Sequence, residues 1–272
     1  KCYALKLIEA PDVITAYSES MKVVDNQLSR KPDDPRYNEA RKNIDAVFRS
    51  SGAASCENLE NLFTAGVDNN PSDTAMLRKV LTLLTETGCK DSELYYKAST
   101  NLYRSFPSAS SAAQLAEMNL ARKRYNEAEK YYTEAVELET DNIIKSNLLT
   151  KLATLEPTSD SKQAARDFAK AAYSLDPTNG NALFIIAEAY AGTKIGETFE
   201  NQTVYWVVVD YLARARNTDP TLREQVDERI AIYSRLFPTK EEAFFRSLVE
   251  EGAPYQVGGW INESTTVRFR KE

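Results

Sequence analysis

The chain has 272 residues, of which 34 are basic and 40 acidic, and its net charge is −6. Its apolar content of 42% is that of a folded protein, and its mild acidity argues against a nucleic-acid partner. The chain lacks histidine, which excludes a Ser-His-Asp triad, a Cys-His pair and a zinc site with histidine ligands. No apolar run approaches the ~20 residues that cross a bilayer. We therefore predict a protein that is not an enzyme, holds no metal or cofactor, and has no transmembrane segment.

Prolines recur along the chain at spacings near one or two multiples of about 34 residues, a period typical of helical repeats. They stand at Pro35, Pro71, Pro107, Pro177 and Pro220. Between them lie helical patterns in pairs, rich in Ala, Leu, Glu, Lys and Arg, which favour helix. The spacing predicts tandem antiparallel helix pairs.

Five helices are predicted before Pro107. Their ranges are 11–30, 35–49, 56–67, 73–87 and 91–105. Residues suited to N-capping, such as Asp34 and Asp73, precede several of them. The stretch 50–55, which is rich in Ser, Gly and Ala, is the predicted joint between N-terminal helices (1–50) and a repeat array (51–238).

The clearest repeat unit covers residues 109–139. Small residues at Ala116 and Ala128 let two helices cross closely, and larger ones at Leu115 and Tyr132 fill the sides. The stretch 124–139 resembles the second helix of a tetratricopeptide (TPR) repeat. The predicted fold is therefore all-α, a right-handed α-α superhelix of the TPR type.

Two further units follow, ending at Pro177 and Pro220. In the last of them a helix beginning at Leu183 and a helix over 205–217 are separated by a predicted long loop, 192–202. Long insertions of this kind lie at the surface and can be functional.

After Pro220 we predict one helix to Phe237 and a short capping helix over 239–249. The tail that completes the third predicted segment (239–272) has no helical period and favours extended structure. Trp260 is its predicted anchor. A lone strand must pack on something, so the tail caps the last helices, forms a small hairpin, or lies in the groove of its own repeats.

The three cysteines are Cys2, Cys56 and Cys89. Cys56 begins one predicted helix and Cys89 follows the end of the next, and these ends lie side by side in an antiparallel hairpin. A disulfide between them is reasonable, and two free thiols are the alternative. Cys2 is then the odd cysteine.

The default binding surface of a TPR array is the concave groove lined by the first helix of each pair. The predicted groove residues are Ala113, Glu117, Leu120, Thr150, Thr154, Phe184 and Glu188. The two glutamates stand where a clamp for a peptide carboxylate needs cations, which argues against that mode. The groove suits a peptide or a sugar, and the alternative is that it meets only water or the protein's own tail.

From Cys56 onward the chain resembles cell-envelope TPR proteins of gut-type Gram-negative bacteria. The matching stretches are 51–57, 88–95, 98–99, 204–206, Tyr233, 237–238, 258–263 and 265–268. The resemblance implies export to the periplasm or cell surface, and it implies no biochemical activity.

Two functions follow as hypotheses. The first is a non-enzymatic scaffold that binds a protein or peptide partner of unknown identity. The second is a glycan- or peptide-binding module for nutrient uptake.

Overall fold

The structure is a computed structural model, and it describes residues 8–155, 162–247 and 250–271. Within these residues it contains thirteen α-helices and one two-stranded hairpin. The predicted all-α fold class is confirmed. The contacts between residues divide the chain into two compact units, Lys1–Pro107 (unit 1) and Ser108–Glu272 (unit 2). Cys2 lies outside the described residues.

The described part of unit 1, residues 8–107, forms five helices. Their bounds are α1 Ala10–Arg30, α2 Pro35–Ser50, α3 Cys56–Asn69, α4 Thr74–Glu86 and α5 Glu93–Ser105. The capping side chains of Asp34 and Asp73 accept hydrogen bonds from the backbone N–H groups of Arg36 and Met76, so these polar residues begin their helices as predicted.

The N-terminal helix pair is tied to the rest of unit 1. The Tyr17 hydroxyl on α1 lies 2.6 Å from Asp45 on α2 and 2.8 Å from Glu86 on α4. Arg41 on α2 forms an ion pair with the same Glu86 at 3.6 Å. The predicted joint at 50–55 lies inside unit 1.

A disulfide joins Cys56 and Cys89, with the two Cα atoms 5.5 Å apart. Cys56 is the first residue of α3, and Cys89 follows α4 after a glycine with positive φ, Gly88. Gly88 allows the chain to turn back at the end of α4, because φ of +80° is unfavourable for other residues. The bond thus closes the α3–α4 hairpin at its open end.

Unit 2 consists of three antiparallel helix pairs, two further helices and the hairpin. The bounds are α6 Ala109–Ala121, α7 Tyr125–Leu138, α8 Asn142–Ala153, α9 Lys162–Leu175, α10 Gly180–Tyr190, α11 Thr198–Thr218, α12 Arg223–Ser234, α13 Lys240–Phe244, β1 Pro254–Val257 and β2 Glu263–Thr266. Each helix packs on the next, so the pairs α6–α7, α8–α9 and α10–α11 stack in chain order. This serial stacking is the arrangement of a helical-repeat solenoid.

Small residues let the paired helices approach closely. Ala116 on α6 and Ala128 on α7 are both fully buried, as the repeat pattern requires. The tightest approach is at Gly180, the first residue of α10, where an added Cβ would lie 2.5 Å from the Cβ of Asp219 beyond α11. Only glycine fits there without movement of the neighbouring helix.

Helix α11 is longer than the sequence predicted, and the loop before it is shorter. The helix begins at Thr198, so the predicted loop over 192–202 is wrong in its second half. Two contacts explain the early start. Phe199 is buried and lies edge-on against Trp206, 6.4 Å between ring centroids. The Asn201 side chain accepts hydrogen bonds from the N–H groups of Ile195 and Gly196 and so closes the loop.

The C-terminal helices are shorter than predicted. Pro220 opens a single 3₁₀ turn, α12 ends at Ser234 rather than Phe237, and α13 ends at Phe244. Val249, the predicted end of the capping helix, lies outside the described residues. The tail forms the antiparallel hairpin β1–β2, with Tyr255 opposite Thr265, which selects one of the three alternatives left open by the sequence.

Candidate interaction face

The predicted groove residues lie on the first helices of the pairs in unit 2. We call the surface of α6, α8, α10 and α12 the first-helix face, and that of α7, α9 and α11 the second-helix face. Among the predicted residues Glu117 and Thr154 are exposed, and the others are partly buried: Ala113, Leu120, Thr150, Phe184 and Glu188. Each has a definite structural environment.

Glu117 on α6 forms an ion pair with Lys151 on α8, so the two helices are linked across one repeat. Burial tends to raise the pKa of the Glu117 carboxyl, but the hydrogen bond and positive charge of Lys151, together with the Tyr132 hydroxyl, outweigh burial, and the pKa is lowered. The Lys151 ammonium also lies 5.8 Å from the ring centroid of Tyr132 on α7. Burial raises the pKa of this tyrosine. The carboxylate and ammonium are each about half exposed, which leaves both accessible to a partner.

Thr150 takes part in a group of buried hydrogen bonds that joins α8 and α10. The Asn179 side chain, at the N-cap of α10, donates hydrogen bonds of 2.9 Å to Thr150 and to Ser146. Its amide oxygen accepts from the Ala182 N–H at 3.0 Å. Ser146 in turn donates to the Ala172 carbonyl on α9. These hydrogen bonds join α8 to α9 and α10, so the Thr150 hydroxyl has a structural role.

Glu188 on α10 is held by two residues of α12. The Tyr233 hydroxyl lies 3.2 Å from both carboxylate oxygens, and Arg229 forms an ion pair at 3.6 Å. Burial, followed by the nearby charge of Glu188, raises the pKa of Tyr233. Its ring stacks on that of Tyr205, 5.5 Å between centroids. The two predicted glutamates are thus each paired with a cation on the next first helix.

Apolar groups on the first-helix face differ in exposure. Phe184 packs against the main core cluster of unit 2 and is not a free aromatic anchor. Ile143, near the start of α8, is 61% exposed. It precedes Thr150 by seven residues and Thr154 by eleven, which places it on the same stripe of the helix. Ile143 is therefore an apolar group that α8 presents to solvent, together with its neighbour Ile144, which is 50% exposed.

The tail hairpin packs on α9, on α11 and on the end of α10. The Trp260 ring lies 5.4 Å from the ring of Tyr190, and the Arg166 guanidinium of α9 lies 4.9 Å above it. Arg166 also donates to the Trp260 carbonyl at 2.8 Å. Trp260, the predicted anchor, thus rests on α9 and the end of α10. Of the three placements left open by the sequence, the hairpin is the one observed, and its contacts are with α9, α11 and the end of α10.

A glutamate of the tail is the centre of a hydrogen-bonded cluster. One carboxylate oxygen of Glu263 accepts from Lys170 at 2.6 Å and from the hydroxyls of Tyr190 and Tyr211 at 2.9 Å each. Burial alone would raise the pKa of Glu263, but these donors outweigh it, and the pKa is lowered. Burial raises the pKa of Tyr211 to about 12. The cluster binds the start of β2 to helices α9, α10 and α11.

The last residues of the tail bind α11 at a second place. The Trp206 indole N–H donates to the Arg268 carbonyl at 2.8 Å, and the Arg268 guanidinium donates back to the Trp206 carbonyl at 3.0 Å. Arg268 also forms an ion pair with Asp210. Trp206 is fully buried, so both tryptophans serve internal packing rather than an open stacking platform.

Sequence reasoning missed Lys151, Arg229 and Asn179, which complete the contacts of the first-helix face. One signal was present: α8 carries apolar residues on all sides, with Ile143 and Ile144 exposed and Leu148 and Leu149 buried. A helix of this kind has a second apolar surface beyond the one used by its own repeat. The pairings themselves join residues 29 to 45 positions apart and had no local signal.

The described residues contain no group of three or more metal-ligating side chains. None of the helices in the described residues combines the length and the apolar character of a membrane span. The contacts that this surface offers are ion pairs, hydroxyl groups and one exposed apolar stripe, which suit recognition of another chain.

No protein-family model matches the sequence, and no curated protein does. Two solved crystal structures of the protein MamA are similar to the chain. One aligns with a TM-score of 0.44 at 16% identity, over 67% of this chain and 91% of that chain. The other aligns with a TM-score of 0.45 at 15% identity, over 66% and 97%. The all-α fold class rests on the packing of the chain's own helices.

Proposed function

We propose that the protein is a non-catalytic interaction scaffold and that unit 2 binds a protein or peptide segment on its first-helix face. The observation that carries the proposal is the difference between the two faces. The tail hairpin covers α9 and α11, whereas Ile143, Glu117 and Lys151 remain exposed on the first-helix face. Helical-repeat proteins bind through extended surfaces of this kind.

The chemistry of the face supports a partner of mixed character. The Glu117–Lys151 and Glu188–Arg229 pairs present both signs of charge on successive helices. Exposed ion pairs of this type contribute only about 0–1 kcal/mol to folding, so each can exchange partners at low cost. An apolar side chain of the partner would pack on Ile143, since fully desolvated apolar contacts surrounded by polar groups dominate binding.

Quantitative capture with the intact chain tests the proposal. We expect Ile143→Glu combined with Lys151→Glu to reduce recovery of a reproducible partner at least tenfold. Lys130→Glu on α7 is the control. Lys130 is exposed on the second-helix face, and its ion pair with Glu134 is weak because the charged atoms are 4.0 Å apart. Hydrogen exchange of the complex should then protect α6, α8 and α10. Undiminished capture by the double variant, or protection confined to α7, would remove this face from the proposal.

We also propose that the protein works in an oxidising compartment, in line with export to the cell envelope. The Cys56–Cys89 disulfide supports this location, because reducing compartments keep such thiols free. The check is maleimide labelling of acid-quenched cells with and without a reductant, combined with fractionation. Labelling of both thiols without a reductant, in a cytosolic fraction, would contradict it. A glycan-binding module finds no support in the tryptophans, which are used in packing.

A further inference from the structure

We propose that unit 1 carries a separate docking site, a groove between α1 and α2 that takes an amphipathic helix with a basic flank. The groove encloses about 360 Å³ and is lined largely by apolar side chains. The site goes beyond the proposed function because it lies on other helices and has a different chemistry from the first-helix face.

Helix α1 has two neighbouring apolar stripes, and unit 1 uses only one of them. The first stripe is buried: Ala10, Ile14, Tyr17, Met21 and Val24. The second runs along the groove through Val13, Ala16 and Ser20 and continues to Val23, which is 62% exposed. These positions recur at intervals of three and four residues, so they share one side of the helix.

Helix α2 supplies the opposite wall. Ile44, Val47 and Phe48 line the groove, and Val47 is 68% exposed. The Phe48 ring stacks on Tyr17 with 4.0 Å between centroids, which forms a firm apolar floor. Two walls with apolar residues at helical spacing are the features that receive a third helix through its residues i, i+3, i+4 and i+7.

The charge along the groove defines the occupant. Glu9, Asp12 and Glu19 are exposed, and each precedes a residue of the second stripe by four positions. These carboxylates therefore lie along the outer edge of α1, beside the groove. The residues of α2 that line the groove, from Asn43 to Phe48, carry no cation, and Arg36 at the start of α2 is paired with Asp34 at 2.9 Å. An acidic rim of this kind attracts Lys or Arg on the flank of the incoming helix.

The opposite side of α1 has a different character. There the cavity of about 460 Å³ between α1 and α4 contains Lys22, Lys79 and Glu86. Arg41 pairs nearby with Asp25 at 2.9 Å and with Glu86 at 3.6 Å. Charged groups of both signs in that cleft do not suit an apolar ridge, so the α1–α2 groove is the one that fits a helix.

Two fluorescently labelled synthetic peptides test the proposal by anisotropy with the full chain. Both have the same leucine ridge at i, i+3, i+4 and i+7, and they differ only in lysine or glutamate on the flank. We expect the lysine peptide to bind, with an affinity that falls as salt increases. Val47→Glu should weaken it at least tenfold and Glu19→Lys by several fold. Glu251→Lys, at an exposed glutamate of unit 2, makes the same change of charge as Glu19→Lys away from the groove and should leave binding unchanged.

Several results would overturn the proposal. Failure of the lysine peptide to bind, equal binding of the glutamate peptide, or full binding by Val47→Glu would each exclude a basic helix as the occupant. Self-association of the free chain that Val47→Glu abolishes, measured by sedimentation, would assign the groove to a second copy instead. Val47 is mostly exposed, so the variant should keep the helical circular dichroism of the parent, which the same samples verify.

Discussion

Replacement of Glu263 by alanine should detach the tail hairpin from the second-helix face. The substitution leaves the hydroxyls of Tyr190 and Tyr211 without their acceptor and Lys170 without its counter-charge. Both tyrosines are at least nine-tenths buried. A buried donor that loses its partner costs about 1–3 kcal/mol. For two hydroxyls, with some water entering beside the half-exposed Lys170, we expect a loss of about 3 kcal/mol.

Both tryptophans of the chain lie in unit 2, so tryptophan fluorescence during urea unfolding reports on this unit. With a slope of about 2 kcal/mol per molar urea, the midpoint should fall by about 1.5 M. Glu251→Ala, an exposed glutamate of the same tail, should shift it by less than about 0.3 M, since exposed sites contribute little. An unchanged midpoint in Glu263→Ala would refute the role assigned to the cluster.

The pH dependence of the same variant follows from the lowered pKa of Glu263. A carboxyl whose pKa is lower in the folded state stabilises that state above its unfolded pKa of about 4.3. The stabilisation is lost as pH falls through the lower folded value. The difference in stability between the parent and Glu263→Ala should therefore be full at pH 7 and shrink below about pH 4. A difference that stays constant from pH 7 to pH 3 would contradict this cause.

Three further variants test the packing. Cys56→Ser combined with Cys89→Ser should lower the stability of unit 1 by about 3–4 kcal/mol, the chain-entropy value for a loop of this length. Urea unfolding followed by far-ultraviolet circular dichroism measures the loss. Stability equal to that of the parent would contradict the disulfide. Asn179→Ala removes an N-cap and a bridge to α8, and we expect a loss of about 2–3 kcal/mol by tryptophan fluorescence, whereas Asn179→Ser should retain the cap. Gly180→Ala forces a Cβ against Asp219 and should lower the free energy of unfolding by about 1–3 kcal/mol. A neutral effect would mean that the start of α10 moves easily away from the end of α11.

The helices of this protein were predictable from local chemistry. Capping residues such as Asp34 and Asp73 carry no information about distant contacts. They nevertheless fix where helices start, because an unpaired N–H at a helix end needs a nearby acceptor. The small residues Ala116 and Ala128 likewise identified a close helix pair, since close approach tolerates only short side chains. The predicted helix boundaries were wrong where a tertiary contact determines them. Phe199 is an example, because its burial extends α11 toward the N-terminus.

The tail and the first-helix face depended on the tertiary structure. An extended segment with one tryptophan has several surfaces on which it can pack. Its position on α9, α10 and α11 rests on contacts such as Glu263 with Tyr190 and Arg268 with Trp206, which are more than 60 residues apart. No local sequence pattern predicts such pairs, because the two residues interact only after the tertiary fold has brought them together. The sequence by itself determined that helices pair and stack. Which face stayed open, and what charges it presents, followed only from the packing of the whole unit.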